Sequence, residues 1–447
     1  MTEIWSFLMR AKPMAGVHRA APQPCGIDAA PPTPGIVNRS DRDPSIAVLT
    51  QQISHYHAAR YRASAAGFGR LTVLSAMNDA DFREFLSSDA GDIEASRLFD
   101  GRQAYMAAVS SGDVWSRTRS VLDRLRPEVV VIAGWSFPES VGAIAWAHDN
   151  DARIVMMSES QEQDGPRHRL REIAKSRIVR ICHAALVGGR RHSGYITRLG
   201  MPAERVFHGY DAVDNRHFSD GADRARVDAV LWRQKLGLPD RYLLASARFI
   251  PKKNLEGLVA AFAQAVAAAD VPHALVILGD GEGRGALEAA VAAAGVQHRV
   301  LLAGFKGYDS LPAFYGLADA FVHVSLAEQW GLVINEAAAA GLPLIVSHPC
   351  GAAPELVAPG ANGYLVEPAD IGDMARALAA LMTATDEARH AMGDESRRIV
   401  ADWGPERFAR GLRDAADAAL ASPVRWLAPW DRMLLRMLSR RYISTVS

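Results

Sequence analysis

The stretch "LAEQWGLVINEAAAAGLPLIVS" holds two glutamates, Glu328 and Glu336, on either side of a Trp-Gly pair. A carboxylate is costly to bury without partners. It is also a good acceptor for paired hydroxyl groups. Two of them ahead of an alanine-rich run therefore point to a polyhydroxy ligand. A second stretch, "SARFIPKKN", offers Arg248 and Lys253 five residues apart. Arginine presents a planar fork and lysine a point charge, and phosphate oxygens take both. A solvated basic turn is the competing reading of that pair.

These groups need elements to hold them. "DAFVHVS" reads as a buried strand, so "LAEQWG" is the loop at its carboxyl end. Gly331 lets the backbone turn closely there. "LVINEAAAAG" reads as a helix with Gly341 as its C-cap and Pro343 preventing continuation. Its N-terminus would present free N–H groups and the positive end of the dipole to a cleft, a place for phosphate or a developing anion. Glu328 then lies in the loop and Glu336 one to two turns into the helix. The competing readings are a helix-capping acid for Glu328 and a surface position for Glu336.

From Ser45 onward the chain alternates Val/Ile/Leu-rich strands with helical segments, the pattern of a parallel sheet covered on both faces. The alternation runs twice. The expected organisation is a Pro/Ala-rich disordered arm over 1–44 and an N-terminal Rossmann-like domain over 45–215. A polar, non-periodic connection over 216–240 follows, then a C-terminal Rossmann-like domain over 241–403. Helices over 404–447 would cross back to the first domain. The fold class is α/β, two doubly wound Rossmann-like domains facing across a cleft. The glycine loop "GDGEGRGALEAA" suggests a dinucleotide fingerprint, but the next strand, "VLLAGF", ends in Phe305 and Lys306 rather than an acid. It reads as a tight strand-to-helix turn.

The 447 residues carry 50 Lys+Arg against 50 Asp+Glu, so charge gives no reason to expect nucleic acid as a partner. Cys25, Cys182 and Cys350 match no zinc or disulfide spacing, and a reducing cytoplasm is the simplest setting. No run reaches transmembrane length. The tail "RWLAPWDRMLLRMLSRRYISTVS" sets Arg432, Arg436, Arg440 and Arg441 around Trp430, Leu434, Met437 and Leu438. Such a helix either packs on the N-terminal domain or meets the inner face of an anionic membrane, and both are compatible.

With these residues in order, the chain resembles the retaining glycosyltransferases of family four, which have the GT-B fold. The resemblance is strong from Tyr242 to Met382 and an outline elsewhere. It rests on Arg248 with Lys253, on Gly304 after the third strand, and on Glu328 and Glu336 as a Glu-x7-Glu motif. It implies that Arg248 and Lys253 hold the diphosphate of a sugar nucleotide, Glu336 the ribose hydroxyls, and Glu328 the donor sugar. Around Gln329, Trp330, Gly331, Leu332 and Val333 the backbone amides would touch sugar and phosphate. Phe305 and Lys306 lie where such proteins meet the base. It also implies retention of anomeric configuration with no metal and no cofactor, the basic groups and helix dipole stabilising the leaving diphosphate.

The first domain departs from the family pattern. "TQQISHYHAARY" stands where many relatives carry a glycine-rich loop, so Gln51, Gln52, His55 and Tyr56 would line it. "MMSESQEQDGPRHRLREIAK" stands where many carry a His-Asp pair, bringing Ser158, Glu159, Asp164 and Arg167. Glu159 either takes the histidine's place near the transferred sugar or binds acceptor; a helix-capping loop is the competing reading. The expected activity is sugar transfer from a nucleotide-diphosphate sugar to an acceptor in polysaccharide, glycolipid or metabolite assembly. The alternatives are a sugar-nucleotide epimerase on the same scaffold and a non-catalytic sugar-nucleotide-binding partner.

Overall fold

The computed structural model describes residues 43–77, 94–165 and 167–440. The arm expected over 1–44, apart from its last two residues, lies outside them, as do Cys25 and Arg441. Arg42–Ser447 forms one compact unit built on two sheets.

The first sheet contains β1 (Ser45–Thr50), β2 (Arg70–Ser75), β3 (Glu94–Arg97), β4 (Val129–Ala133), β5 (Arg153–Ser158), β6 (Ala184–Val187) and β7 (Val206–His208). The second contains β8 (Tyr242–Ser246), β9 (Ala274–Leu278), β10 (Val300–Gly304), β11 (Ala320–His323), β12 (Leu344–Ser347) and β13 (Gly363–Val366). The orders are β3-β2-β1-β4-β5-β6-β7 and β10-β9-β8-β11-β12-β13, with parallel pairing throughout. Helices cover both faces, so strands such as "VVVIA" are buried along nearly their whole length rather than alternately.

In each sheet the chain starts in the middle, builds outward, then returns to build the other way. The reversals fall between β1 and β4 and between β8 and β11. At such a reversal the loops leaving two adjacent carboxyl ends diverge and leave a crevice. The loop after β8 carries Arg248 and Lys253, and the loop after β11 carries Glu328. The glycine loop after β9 is a close turn: a Cβ on Gly281 would lie 2.7 Å from the Phe249 carbonyl oxygen. Its packing against Phe249 supports the backbone that carries Arg248.

The segment expected as a non-periodic connection is instead two helices, Asn215–Val227 and Ala229–Leu236. Phe218, Ala222 and Ala225 form a narrow buried stripe in the core of the second sheet. Only these few apolar residues, set among Asp and Arg, carry the helical period, and so the composition hides it.

The last two helices return to the first domain, one onto its sheet and the other onto the helices that cover it. Pro405–Leu420 inserts Phe408, Leu412, Ala415, Ala416 and Ala419 beside Tyr61, Val155 and Leu186. Pro429–Leu438 buries Leu435, pairs Asp431 with Arg177 at 2.8 Å and Arg432 with Asp149 at 2.7 Å, and lays the Arg436 guanidinium 4.5 Å over the Trp115 ring. Trp430, Met433 and Met437 on this helix are exposed. No helix among the described residues is long and apolar enough to cross a membrane.

Phe408 is fully buried and meets Tyr61 edge-on at 6.0 Å, so it anchors the returning helix. Phe408→Ala should cost about 3–5 kcal/mol. Denaturant unfolding followed by circular dichroism would read this as a lower midpoint, and an unchanged midpoint would show that the helix is not part of the cooperative core.

Candidate active site

At the reversal of the second sheet, "PKK" closes a 3₁₀ turn, Pro251–Lys253, which sets Lys253 across from the loop after β11. The backbone N–H of Leu326 donates to the Lys252 carbonyl at 2.8 Å and ties the two loops together. The Lys253 ammonium donates to Glu328 Oε2. The same oxygen lies 3.1 Å from His323 Nε2 and accepts from the Ser325 hydroxyl at 3.3 Å. Burial alone would raise the Glu328 pKa. The His323 hydrogen bond and the Lys253 charge outweigh it and hold the carboxyl well below its ordinary range. Glu328 is therefore a fixed anion that keeps 15 % of its side-chain surface open.

Gly331 heads the helix Leu332–Ala339 at φ +99. A Cβ there would also meet Ile334 at 3.0 Å and Glu328 Cγ at 3.4 Å, so glycine serves both the backbone angle and the space. Leu332 and Val333 turn their side chains to the core, leaving their backbone at the helix start. Trp330 is buried, with its indole N–H donating to Asn335 Oδ1 at 2.8 Å. Its side chain is therefore structural.

Glu336 is not the surface residue of the competing reading: it is 1 % exposed. Its Oε1 accepts from the Tyr56 hydroxyl and its Oε2 from the Tyr315 hydroxyl at 2.5 Å. Burial pushes its pKa up to about 7, against the lowering effect of the two phenols. Glu328 and Glu336 thus have separate partners and opposite pKa shifts. Tyr56 is the second residue of the first-domain helix His55–Ala65, and its neighbour His55 stacks on Tyr308 at 4.2 Å with the rings 3° apart. His55, expected on the acceptor side, therefore meets the second domain. Phe305 and Lys306 precede this tyrosine; Phe305 is exposed, and the Lys306 ammonium lies 5.6 Å over the Phe314 ring. Arg248 is exposed just beyond β8.

The facing side comes from the first sheet. At its reversal, the Gln51 amide donates to Glu139 Oε1, and the Tyr105 hydroxyl donates to Glu139 Oε2 at 2.7 Å. Burial raises the Glu139 pKa to about 7. Gln52 is exposed. Ser158 ends β5, buried, and accepts from the Ser160 N–H at 3.2 Å. Glu159 follows it and lies against Asp211. Burial pushes both acids up; the Glu159 charge raises Asp211 further, whereas the Arg60 charge and the hydrogen bond from Asp211 work to lower Glu159 and the Glu328 charge works to raise it. Gly188 makes room for this pair: a Cβ there would sit 2.4 Å from Asp211 Oδ2 and 2.9 Å from the Trp330 ring.

Two first-domain side chains clasp the loop that holds Glu328. The Gln161 amide donates to the Glu328 carbonyl at 2.8 Å and the Pro349 carbonyl at 3.1 Å. His192 Nδ1 accepts from the Gly189 N–H at 3.1 Å, so its Nε2–H donates to the Gln329 carbonyl at 2.8 Å. Asp164 lies 3.5 Å from the Gln329 amide. Arg167 donates instead to Tyr195 at 2.8 Å, away from Glu328.

The predicted residues Lys253, Glu328, Gln329, Gly331, Glu336, His55 and Glu159 thus gather at the cleft. His323, Tyr315, Tyr308, Glu139, Asp211, Gln161 and His192 join them without having been singled out in the sequence. Only His323 had a local signal, a titratable residue at the carboxyl end of a strand beside the chemical loop. Among the described residues, no group of three or more His, Cys, Asp or Glu is placed to hold a metal ion.

The chain is similar in sequence to several named glycosyltransferases. D-inositol 3-phosphate glycosyltransferase of Salinispora arenicola is 27% identical over 364 residues, 78% of this chain and 80% of the relative. The alpha-D-kanosaminyltransferase of Streptomyces kanamyceticus is 30% identical over 202 residues, 45% of this chain and 51% of that one. The GDP-mannose-dependent alpha-(1-6)-phosphatidylinositol monomannoside mannosyltransferase of Mycobacterium tuberculosis is 32% identical over 212 residues, 45% and 53% of the two chains. The chain thus spans about half the length of the first curated relatives it matches. HepE of Anabaena, solved with UDP and glucose, superposes with a TM-score of 0.65 at 17% identity, covering 83% of this chain and 98% of that one. The fold is therefore the two-domain GT-B fold, and residues 229–399 match the family described as glycosyl transferases group 1.

Proposed function

We propose that the protein is a retaining glycosyltransferase of family four that moves a sugar from a nucleotide-diphosphate sugar to an acceptor hydroxyl. The observation that carries this reading is the meeting of Lys253 with Glu328 at the reversal of the second sheet, directly before the helix that contains Glu336. The family match over 229–399 supports it, as do relatives named for GDP-mannose-dependent transfer and a structural neighbour solved with UDP and glucose.

In this reading the bond between the anomeric carbon and the phosphate oxygen breaks, the acceptor hydroxyl oxygen bonds to that carbon, and its proton passes to the leaving diphosphate on which charge grows. Lys253, Arg248 and the N–H groups at the start of Leu332–Ala339 stabilise that charge without a metal. Glu328, held as an anion, accepts hydroxyl hydrogen bonds of the donor sugar. Glu336 accepts those of the ribose. Glu159, beside Asp211 and within reach of the Glu328 charge, takes the acceptor side with Gln51 and Glu139. The setting is the cytoplasm, with the exposed Trp430, Met433 and Met437 and the neighbouring arginines able to rest on the inner face of a membrane.

Nucleotide release from UDP-, GDP- and ADP-sugars is the direct test, with product configuration read by proton NMR. Lys253→Ala and Glu328→Ala should each lower kcat/KM by about 10²-fold, with melting temperatures recorded beside them because each substitution strands a largely buried partner. Full turnover by folded Glu328→Ala would remove the donor-site assignment.

A second expectation follows from the Glu336 pKa of about 7. The ionised carboxyl accepts both ribose hydroxyls, and protonation removes acceptor capacity. Affinity for the sugar nucleotide should rise about tenfold from pH 6 to pH 8, while Glu336→Gln should show a flat profile. Titration calorimetry measures both, and a flat wild-type profile would separate Glu336 from the ligand.

A further inference from the structure

The two phenols on Glu336 are not equivalent. Tyr315 belongs to the same domain, is fully buried, and is wedged between Phe218 at 5.7 Å and Phe321 at 5.6 Å. It is part of the core and has nowhere to go. Tyr56 comes from the other domain, is only half-buried, and sits at the second residue of its helix, where few intrahelical bonds restrain the start. His55 beside it makes a face-to-face stack on Tyr308, whose ring also carries His217 at 4.0 Å. The start of His55–Ala65 is therefore pressed onto the second domain by the Tyr56–Glu336 hydrogen bond, the His55–Tyr308 stack, the edge-on approach of Tyr56 to Tyr308 at 6.0 Å and the packing of the Tyr56 ring against the second-domain core.

With that contact made, Glu336 has both oxygens engaged and almost no open surface. The carboxylate has acceptor sites left but no open approach, so a ribose diol reaches it by displacing a phenol, and the half-buried Tyr56 rather than the core-wedged Tyr315 is the one able to move.

We propose that Tyr56 sets donor affinity: its hydroxyl holds the hydrogen-bonding position on Glu336 that a ribose hydroxyl of a nucleoside diphosphate takes, so nucleotide loading and the Tyr56 contact exclude each other. The proposal rests on the donor-site reading above. It makes the first domain a competitor for its partner's ligand site and couples nucleotide binding to withdrawal of the helix start. Release of the spent nucleotide then lets Tyr56 return to the carboxyl.

Tyr56→Phe removes one oxygen and leaves the ring. Calorimetric titration at pH 8, where Glu336 is ionised, with UDP, GDP and ADP, and with the 2′,3′-dideoxy form of whichever binds, should show about tenfold tighter binding of the ribonucleotide to Tyr56→Phe, since a hydrogen bond to a charged group is no longer broken on loading. The dideoxy form should gain nothing. His55→Ala, which loosens the same helix start through the stack, should give a smaller gain of the same kind. If wild type binds ribonucleotide and Glu336→Gln weakens it, but Tyr56→Phe binds no tighter than wild type, the competition is disproved while the donor site stands. If Glu336→Gln binds as well as wild type, the ribose assignment fails and the proposal falls with it.

Discussion

A carboxylate removed from water must receive its hydrogen bonds from the protein, and the cleft of this molecule is built around that constraint. Glu328 receives an ammonium, an imidazole and a hydroxyl, and stays ionised. Glu336 receives two phenols and no cation, so burial prevails and its pKa rises. The two acids share a loop and the helix that follows it, yet their partners give them opposite characters. An anion beside a lysine and a near-neutral acid one helical segment on are distinct tools, and the proposed reaction uses each differently.

The partners reach these acids because of where the sheets reverse. Lys253 and Glu328 come from loops after β8 and β11, which are adjacent in space only because the second sheet changes direction between them. The first sheet reverses likewise and sends Gln51 and Glu139 toward the same cleft. First-domain groups then grip the second-domain loop by its carbonyls, Gln161 on Glu328 and His192 on Gln329. These bonds hold backbone, while the Glu328 carboxylate itself bonds Lys253, His323 and Ser325, all of the second domain. Tyr56 touches a carboxylate of the proposed ligand site directly, and so it is where domain contact and ligand contact compete.

Behind the cleft, the chain's last helices stiffen the first domain. Phe408 and its stripe close one face of the first sheet, and Leu435 with two ion pairs closes the helices on the other. The fully buried stretch from Pro138 to Ala147 shows the effect: a helix that would otherwise have a wet face is enclosed by neighbours on all sides. Glu139, in its first turn, is thereby kept dry enough to titrate near neutrality.

The amino-acid sequence determined the repeated strand-helix alternation and the loop-and-helix setting of Glu328 and Glu336, because each depends on neighbours within one turn or one strand. The helices over 215–236 escaped notice because three buried residues are too few to outweigh their charged surroundings. Gly331 was legible, since the turn it makes is local; Gly188 was not, since the Asp211 carboxylate and Trp330 ring it admits arrive from elsewhere. Tertiary structure alone decided the protonation of the acids. Tyr56 and Glu336 stand 280 positions apart in the chain, and the pKa of a buried carboxyl depends on what surrounds it in space, which spacing along the chain does not record.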